Sequence, residues 1–217
     1  MKTSHLLLLL GLPALTLRAQ PPLTPVGDRP IDPTETQQLE SDFAAAYSAA
    51  NSIQPGPDSG AQRRAVANAL NSELDSFAAS HTNSAWTPGV RLWLAREAQL
   101  RSQYSHAMNH YRSALALVGG SADASAQKLA RQARGGLAKL LVLTGKLDEF
   151  DQLQTESLQL SGIATGQDWR WAREMRSWAA RHPTEAFKCG LYCVDQLGRL
   201  TQPGQFRTKD ITETSAS

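Results

Sequence analysis

The sequence predicts an all-α protein, and three observations support this prediction. In eight successive stretches, apolar residues recur every three or four positions, which is the spacing that gives a helix one buried face. Residues that end helices, chiefly glycine and proline, separate most of these stretches. No stretch alternates between apolar and polar residues for long enough to indicate a strand. We therefore expect helices that pack in pairs as antiparallel hairpins.

The first nineteen residues have the layout of a secretory signal peptide. Lys2 lies near the start, the apolar run Leu6–Leu17 follows, and Ala19 ends the segment. We therefore predict that segment 1–19 is removed and that the mature protein is exported to a periplasm, a cell surface or the extracellular space. No later segment approaches the ~20 apolar residues of a transmembrane helix, so no transmembrane anchor is expected.

The charge balance argues against two classes of partner. The whole chain has 22 basic and 20 acidic residues, and two of the basic ones, Lys2 and Arg18, lie in the predicted signal peptide. The mature chain is therefore close to neutral, with no stripe of lysine and arginine to bind nucleic acid or an anionic membrane. Two cysteines are too few for a disulfide framework.

Composition divides the mature chain into a linker, a helical domain and a tail. Four prolines, at positions 21, 22, 25 and 30, predict that residues 20–31 form an extended linker outside the core. Residues 32–183 form the predicted helical domain. The polar tail, residues 201–217, has no periodic apolar pattern and is expected to be disordered.

Two predicted helices open the domain. The first helix has an N-cap at Asp32 and a first-turn proline at Pro33. Glu35 stands where the glutamate of a capping box would be. Pro55-Gly56-Pro57 ends this helix. A second helix is predicted from about Ala61 to Ala79, with apolar residues on one face.

The third and fourth predicted helices form one hairpin. Thr87-Pro88 begins the third helix, the fourth starts at Tyr104, and Gly119-Gly120 stops it. A fifth helix, from about Asp123 to Leu143, contains Gly135-Gly136, where each glycine costs roughly 1 kcal/mol relative to alanine. We therefore expect a kink in the middle of the fifth helix.

Three further helices complete the prediction. Gly145 separates the fifth helix from the sixth, Ser161-Gly162 ends the sixth, and an eighth runs from about Gly190 to Leu200. The seventh helix has aromatic residues at core spacing and ends before Pro183. Its predicted core-facing residues are Trp171, Met175 and Trp178, with Trp169 off this line.

The third and fourth helices have the residue spacing of a known repeat. Small residues fall where the two helices would touch, and larger ones fill the space between them. The matching residues are Leu94-Ala95, Ala98, Tyr104, Ala107, Tyr111 and Ala114-Leu115. This unit resembles a tetratricopeptide repeat, with Ser102 in place of the usual glycine and Gly119 in place of a frequent proline.

A second, more divergent unit follows 43 residues later instead of the usual 34. It has Phe150 where a small residue is usual and Gln154 where an aromatic one is usual. The residues at the corresponding positions are Leu137-Ala138, Leu141, Gly145, Leu147 and Phe150. The resemblance extends from about Ala61 to Leu160. An ordinary antiparallel helical bundle is the alternative, because alanine and leucine at helical spacing are common.

The resemblance implies a fold, a partner and a function. The fold would be all-α, with antiparallel helical hairpins stacked in a tetratricopeptide-like superhelix. A curved stack of this kind exposes a groove that binds an extended peptide or a partner helix. The implied partner is a protein or peptide, and the resemblance implies binding rather than catalysis, with no cofactor.

Cys189-Gly190 is the segment that most suggests catalysis. It lies at the start of the eighth predicted helix, where the helix N-terminus would stabilise a thiolate. Together with Val194 and Leu197, it resembles the Cys-Gly start of papain-like peptidases of the bacteriocin-leader-processing type. In that family this cysteine is the nucleophile, so the resemblance assigns that role to Cys189.

The residues after Cys189 depart from the peptidase pattern. Leu191 and Cys193 replace the proline and the alanine of that family, and no histidine follows, although a thiol nucleophile needs a base. Three interpretations stay open: Cys189 is the nucleophile of a truncated domain, a buried thiol, or a disulfide partner of Cys193. An active cysteine peptidase would need His182, the histidine nearest in sequence, as its base.

Two other groups of residues were considered as sites. His106 and His110 share a helix face at i, i+4, as metal ligands do, but the glutamate of the His-Glu-x-x-His motif and a third ligand are missing. No metal site is therefore expected. Trp169, Trp171 and Trp178 could form a platform for a sugar or a peptide, but their spacing favours packing.

These observations predict an exported, non-catalytic protein-binding or scaffolding module. The alternative is the N-terminal portion of a secreted papain-like cysteine peptidase that is truncated just after Cys189. In that case residues 184–200 would be the start of the papain-like domain.

Overall fold

The computed structural model describes residues 23–158 and 166–182. These residues form seven helices and, within these two ranges, no strand, which confirms the all-α prediction. The predicted signal peptide, eighth helix and tail lie outside the described residues. The helices are α1 (Pro33–Ser52), α2 (Ser59–Ser80), α3 (Thr87–Leu100), α4 (Tyr104–Val118), α5 (Ala124–Leu143), α6 (Leu147–Leu158) and α7 (Gln167–Arg181).

The start of α1 agrees with its sequence in two of three respects. Asp32 Oδ1 accepts a hydrogen bond from the Thr34 N–H at 2.7 Å, and Pro33 lies in the first turn. Glu35 does not complete the expected capping box. Its carboxylate instead accepts a hydrogen bond from the Ser84 hydroxyl at 2.6 Å. Glu35 thus ties α1 to the connection between α2 and α3.

Consecutive helices from α1 to α6 pack against one another, and α5 is the central element. Contacts join α1 to α2, α2 to α3, α3 to α4 and α4 to α5. In addition, α5 contacts α3, α6 and α7. A residue on α5 can therefore be constrained by any of four neighbouring helices.

Two hydrophobic clusters form the core, and α3 contributes to both. The smaller cluster joins α1, α2 and α3, and the larger one joins α3 to α4, α5, α6 and α7. In the smaller cluster, the buried residues include Leu39, Phe43, Leu74, Phe77 and Val90. In the larger cluster, they include Leu92, Tyr111, Leu129, Leu137, Phe150 and Trp169.

The turns after α3 and α5 have the same hydrogen-bond pattern, 43 residues apart. Ser102 has a φ of 59° and Gly145 a φ of 74°, the left-handed conformation that ends a helix in a Schellman motif. The bonds run from Ser102 N–H to Gln99 O (3.0 Å), Gln103 N–H to Ala98 O (2.8 Å), Gly145 N–H to Val142 O (3.2 Å) and Lys146 N–H to Leu141 O (2.8 Å).

The two adjacent glycines of α5 allow close packing. The helix runs without a break through Gly135-Gly136, and the expected kink there stays a prediction. A Cβ atom on Gly136 would lie 2.5 Å from Tyr111 Oη, and one on Gly135 would lie 3.4 Å from Asp168 Cβ. The glycines therefore lower the helix propensity of α5, but Gly136 lets Tyr111 of α4 approach closely, whereas a methyl group at Gly135 would make only an ordinary contact with α7.

The buried face of α7 differs from the predicted one. Trp169 is 1% exposed and packs near Phe150, with ring centroids 5.9 Å apart. Trp171, Met175 and Trp178 are only half-buried. Trp171 and Met175 nevertheless pack against the larger cluster, as predicted, whereas Trp178 belongs to neither cluster. The expectation that Trp169 lies off the core-facing line is wrong. The first turn of α7 lies against α5, where a Cβ atom on Gly135 would be 3.8 Å from the Trp169 N atom. Trp169 is the most deeply buried of the three tryptophans of α7.

Candidate binding surface

Residues 23–29, which we call the strap, run across the helices without forming a helix or strand. The Val26 N–H donates to Ala85 O at 2.9 Å. The Val26 side chain is 1% exposed and belongs to the larger hydrophobic cluster. The expectation that residues 20–31 lie outside the core is therefore wrong for Val26. Proline makes this segment poor in N–H donors, but burial of its apolar side chains still stabilises the docked position.

A glycine lets the strap cross α3. Gly89 is buried in the first turn of α3, and a Cβ atom there would lie 2.7 Å from the carbonyl oxygen of Thr24. A side chain at this position would displace the strap or the helix. The close approach of Thr24 thus depends on glycine.

The middle of the strap contacts the N-terminus of α5. The Gly27 N–H donates to Asp123 Oδ1 at 3.1 Å and to Ser125 Oγ at 2.9 Å. Asp123 is the N-cap of α5, and its Oδ1 also accepts from the Ala126 N–H at 2.9 Å. Hydrogen bonds from the Ser125 hydroxyl, the Ala126 N–H and the Gly27 N–H lower the pKa of Asp123 to about 2.

The end of the strap joins two connections between helices. The Arg29 guanidinium donates to Ser84 O at 3.2 Å and to Leu117 O at 2.6 Å. Asp28 accepts a hydrogen bond from the Ser121 hydroxyl at 2.5 Å. The strap therefore links the α2–α3 connection with the end of α4 and the start of α5.

A pocket of about 120 Å³, which we call the α3–α5 pocket, opens between these two helices at the beginning of the strap. The buried side chains of Leu92 and Leu129 and the half-buried Leu23 give it apolar walls. Arg96 from α3 and Lys128 from α5 line it with exposed cationic side chains. The remaining lining residues are Thr24, Gly89, Trp93, Ser125 and Gln132.

The polar groups of the α3–α5 pocket include unpaired donors. Within residues 23–158 and 166–182, no ion pair joins Arg96 or Lys128 to an acidic side chain. The Trp93 ring meets Phe43 edge to face, with centroids 5.2 Å apart. Its Nε1 is buried and has no hydrogen-bond partner in the described part of the chain. Leaving a buried donor unpaired costs about 1–3 kcal/mol.

The predicted catalytic residue, Cys189, lies outside the described residues, as does Cys193. His182, the candidate base, is described and lies at the end of α7. Its ring stacks on Trp178 with centroids 4.9 Å apart, and its Nδ1 lies 3.0 Å from Trp178 O. The contacts of His182 that the structure describes are therefore with its own helix.

The two histidines of α4 have different surroundings. His106 is exposed and His110 is half-buried, with Nδ1 3.5 Å from a guanidinium nitrogen of Arg91, which in turn pairs with Asp75. Burial, together with the neighbouring Arg91 charge, lowers the pKa of His110, so the neutral form is favoured. Among the described residues, no three His, Cys, Asp or Glu side chains are placed to hold a metal ion.

The three tryptophans of α7 have separate environments. Trp169 lies in the core, Trp178 stacks on His182, and Trp171 lies beneath Lys139, whose Nζ is 5.7 Å from the ring centroid. They therefore do not present one continuous aromatic face.

Sequence reasoning missed the residues that build the strap and the pocket. Val26 stands between a proline and a glycine and has no periodic apolar neighbours, so no local pattern indicates burial. Arg96 and Lys128 lie on different helices, and neither belongs to a recognisable motif. Only the packing of α3 against α5 brings them to one pocket.

Comparisons with known proteins and the hydropathy of the helices give two further findings. No protein-family model matches the chain, and comparisons with curated proteins and with solved structures give no match. None of the seven described helices combines the length and apolar character that crossing a bilayer requires.

Proposed function

We propose that this protein is an exported, non-catalytic protein-binding or scaffolding module built from tetratricopeptide-like helical hairpins. The observation that carries the proposal is that these helices already bind a segment of chain without regular structure. The strap donates main-chain hydrogen bonds from Val26 and Gly27 to residues at the starts of α3 and α5. Main-chain hydrogen bonds combined with side-chain pockets are a common way to bind an extended peptide.

The paired turns support the repeat in this proposal. Ser102 and Gly145 stand at corresponding positions of the two predicted units, and both have positive φ. Small residues expected between helices, including Ala95, Ala107 and Ala138, are fully buried. α5 contacts both α3 and α4, as the first helix of a following unit would.

The α3–α5 pocket is the site that we assign to the partner. It adjoins Leu23 and Thr24 at the beginning of the strap, and its walls combine apolar and charged side chains. Binding pockets for peptide side chains have this mixture of apolar surface and a few polar groups. A partner segment entering the pocket would contact Leu23 and Thr24 of the strap.

A selection experiment tests the proposal. Folded protein comprising residues 20–217 is used to select from a phage library of random dodecapeptides, and hydrogen exchange then locates the binding site of each enriched peptide. We expect slower exchange in α3 and α5 around the pocket. The absence of any enriched peptide, or protection confined to other helices, would contradict the proposal.

A pair of variants sharpens this test. Gln132 lines the pocket and is exposed, so Gln132→Trp should fill the pocket without disturbing the core. Gln38→Trp makes the same change at an exposed position of α1 that does not line the pocket. Peptide binding should be lost in the first variant and kept in the second.

Export is part of the proposal and has its own test. Expression of the full chain with the predicted signal peptide should give a product that begins near Gln20 outside the cytoplasm. Intact mass and N-terminal sequencing of the fractionated protein provide the readout. A full-length product retained in the cytoplasm would contradict export but not peptide binding.

A further inference from the structure

We infer that the α3–α5 pocket selects an extended peptide in which an apolar side chain stands next to acidic ones. This inference rests on the proposed function, because it names the chemistry of the partner at the same site. Three features of the described residues lead to it: the size of the pocket, the charge of the segment from α3 to α5, and two cationic side chains that line the pocket and form no ion pair in these ranges.

The size of the pocket limits what it can accept. An apolar cavity of roughly 150 Å³ binds a molecule as large as benzene, and this pocket measures about 120 Å³. Leu23, Leu92 and Leu129 provide aliphatic walls. One apolar side chain of moderate size therefore fits, whereas a folded element does not.

The charge of the surrounding helices favours an acidic peptide. Residues 87–143 contain eight lysines and arginines but only two acidic residues. Four of the eight cations form ion pairs within the described ranges: Arg91, Arg101, Arg112 and Lys139. Two of the others, Arg96 and Lys128, line the pocket from opposite helices.

Asp123, the N-cap of the helix that carries Lys128, forms no ion pair with Arg96 or Lys128 in the described residues. Asp123 follows the end of α4 and directs its oxygen to the Gly27 N–H, the Ala126 N–H and the Ser125 hydroxyl. The carboxylate of Asp123 is therefore hydrogen-bonded to the strap and to the first turn of α5. Arg96 and Lys128 remain available to an acidic side chain on each side of a bound apolar one.

Charge reversal at the pocket tests the inference. The enriched dodecapeptides from the selection are compared with the unselected library for acidic residues beside an apolar one. Synthetic copies with blocked termini are then titrated against the wild-type protein and Arg96→Glu/Lys128→Glu by fluorescence anisotropy. We expect enrichment of this pattern and at least about tenfold weaker binding to the variant, with weaker wild-type binding as salt rises.

A second charge reversal controls for net charge. Arg63 and Arg64 are exposed on α2 and do not line the pocket, so Arg63→Glu/Arg64→Glu makes the same change elsewhere. This variant should bind within about twofold of the wild type. Circular dichroism of both variants verifies that they are folded.

The outcomes separate this inference from the proposed function. Enriched peptides that are neutral or basic, or that bind Arg96→Glu/Lys128→Glu as tightly as the wild type, would overturn the inference and leave peptide binding intact. Equal weakening by both charge reversals would also overturn it, because the effect would then come from net charge. Failure to enrich any peptide would overturn both.

Discussion

Ser102 and Gly145 occupy the same left-handed position in two turns that lie 43 residues apart. The N–H groups around both residues donate to the last turns of α3 and α5 in the same pattern. Of the two residues, only Gly145 is a glycine, which adopts positive φ without strain. Ser102 adopts a φ of 59° with a Cβ atom present, which is uncommon for a residue of its kind.

The first prediction follows from this difference. Ser102→Gly should raise the free energy of unfolding by up to ~1 kcal/mol, because relief of the left-handed strain exceeds the added freedom of the unfolded chain. Gly145→Ser should lower it by about the same amount. Urea denaturation monitored by circular dichroism measures both changes.

A serine within a helix provides the control for this prediction. Ser113 is exposed in α4, where glycine has lower helix propensity than serine. Ser113→Gly should therefore destabilise the protein by about 0.5 kcal/mol, with the opposite sign to Ser102→Gly. Two serine-to-glycine changes of the same sign would contradict the geometry of the turn.

The second prediction separates the two glycines of α5. Gly136→Ala places a methyl group against the buried ring of Tyr111 and should destabilise the protein by about 1–3 kcal/mol. In Gly135→Ala, the new Cβ atom would lie 3.4 Å from Asp168 Cβ, which is an ordinary contact distance. The higher helix propensity of alanine should therefore raise the free energy of unfolding by up to ~1 kcal/mol. Equilibrium denaturation of the two single variants gives the comparison.

A double variant identifies the cause of the clash. Tyr111→Leu removes the ring atoms that the new methyl group would meet. Gly136→Ala should therefore lower the free energy of unfolding less in the Tyr111→Leu background than in the wild type. An equal cost in both backgrounds would show that Tyr111 is not the obstacle.

The third prediction concerns release of the strap. Gly89→Ala introduces a methyl group 2.7 Å from Thr24 O, so the strap should detach from α3 more readily. We expect faster hydrogen exchange at the Val26 N–H, which is otherwise bonded to Ala85 O. Gly60→Ala is the control, because a Cβ atom on Gly60 meets only the end of a flexible arginine side chain.

The fourth prediction concerns acid stability. Because the pKa of Asp123 is lowered, its stabilising effect is present above the ordinary value of 3.8 and is lost as the pH falls through about 2. Asp123→Asn removes this titration. The melting temperature of the wild type should therefore fall more between pH 5 and pH 2 than that of the variant.

A second aspartate controls for general acid effects. Asp58 precedes α2 but makes no side-chain hydrogen bond to that helix. Asp58→Asn should keep the pH dependence of the wild type. If Asp123→Asn also keeps it, the ionised N-cap does not contribute to the stability of the strap and α5.

The fifth prediction concerns His110. Burial and the neighbouring Arg91 lower the pKa of His110 in the folded state, so the unfolded chain binds this proton more readily. Stability should therefore decrease as the pH falls below about 6.5. His110→Gln should remove part of this decrease, as measured by urea denaturation at pH 7.5 and pH 5. His106→Gln, at an exposed position of the same face, should have little effect.

Local signals were sufficient to predict most of the helices. Asp32 and Pro33 mark the start of α1, and Tyr104 begins α4 as expected. Glycine and proline lie at the boundaries because the left-handed turn at Gly145 and the rigid start at Pro33 have backbone requirements that few residues satisfy. These requirements can be read from a short stretch of sequence.

Features that depend on distant contacts were not predictable in this way. The burial of Trp169 in α7 depends on packing against other helices, including Phe150 of α6. Burial of Val26 likewise depends on a surface formed by α3, α4 and α5. Arg96 and Lys128 meet at one pocket for the same reason. In each case the physical cause lies outside the local sequence.

The strap also affects the order in which this protein can fold. Gly27 and Asp123 are 96 positions apart, and contacts of such high sequence separation slow folding because a large loop must first be closed. During synthesis, residues 23–29 leave the ribosome long before their partners in α5. We therefore expect strap docking to be a late step, so that a segment close to the predicted signal peptide is among the last to find its native position.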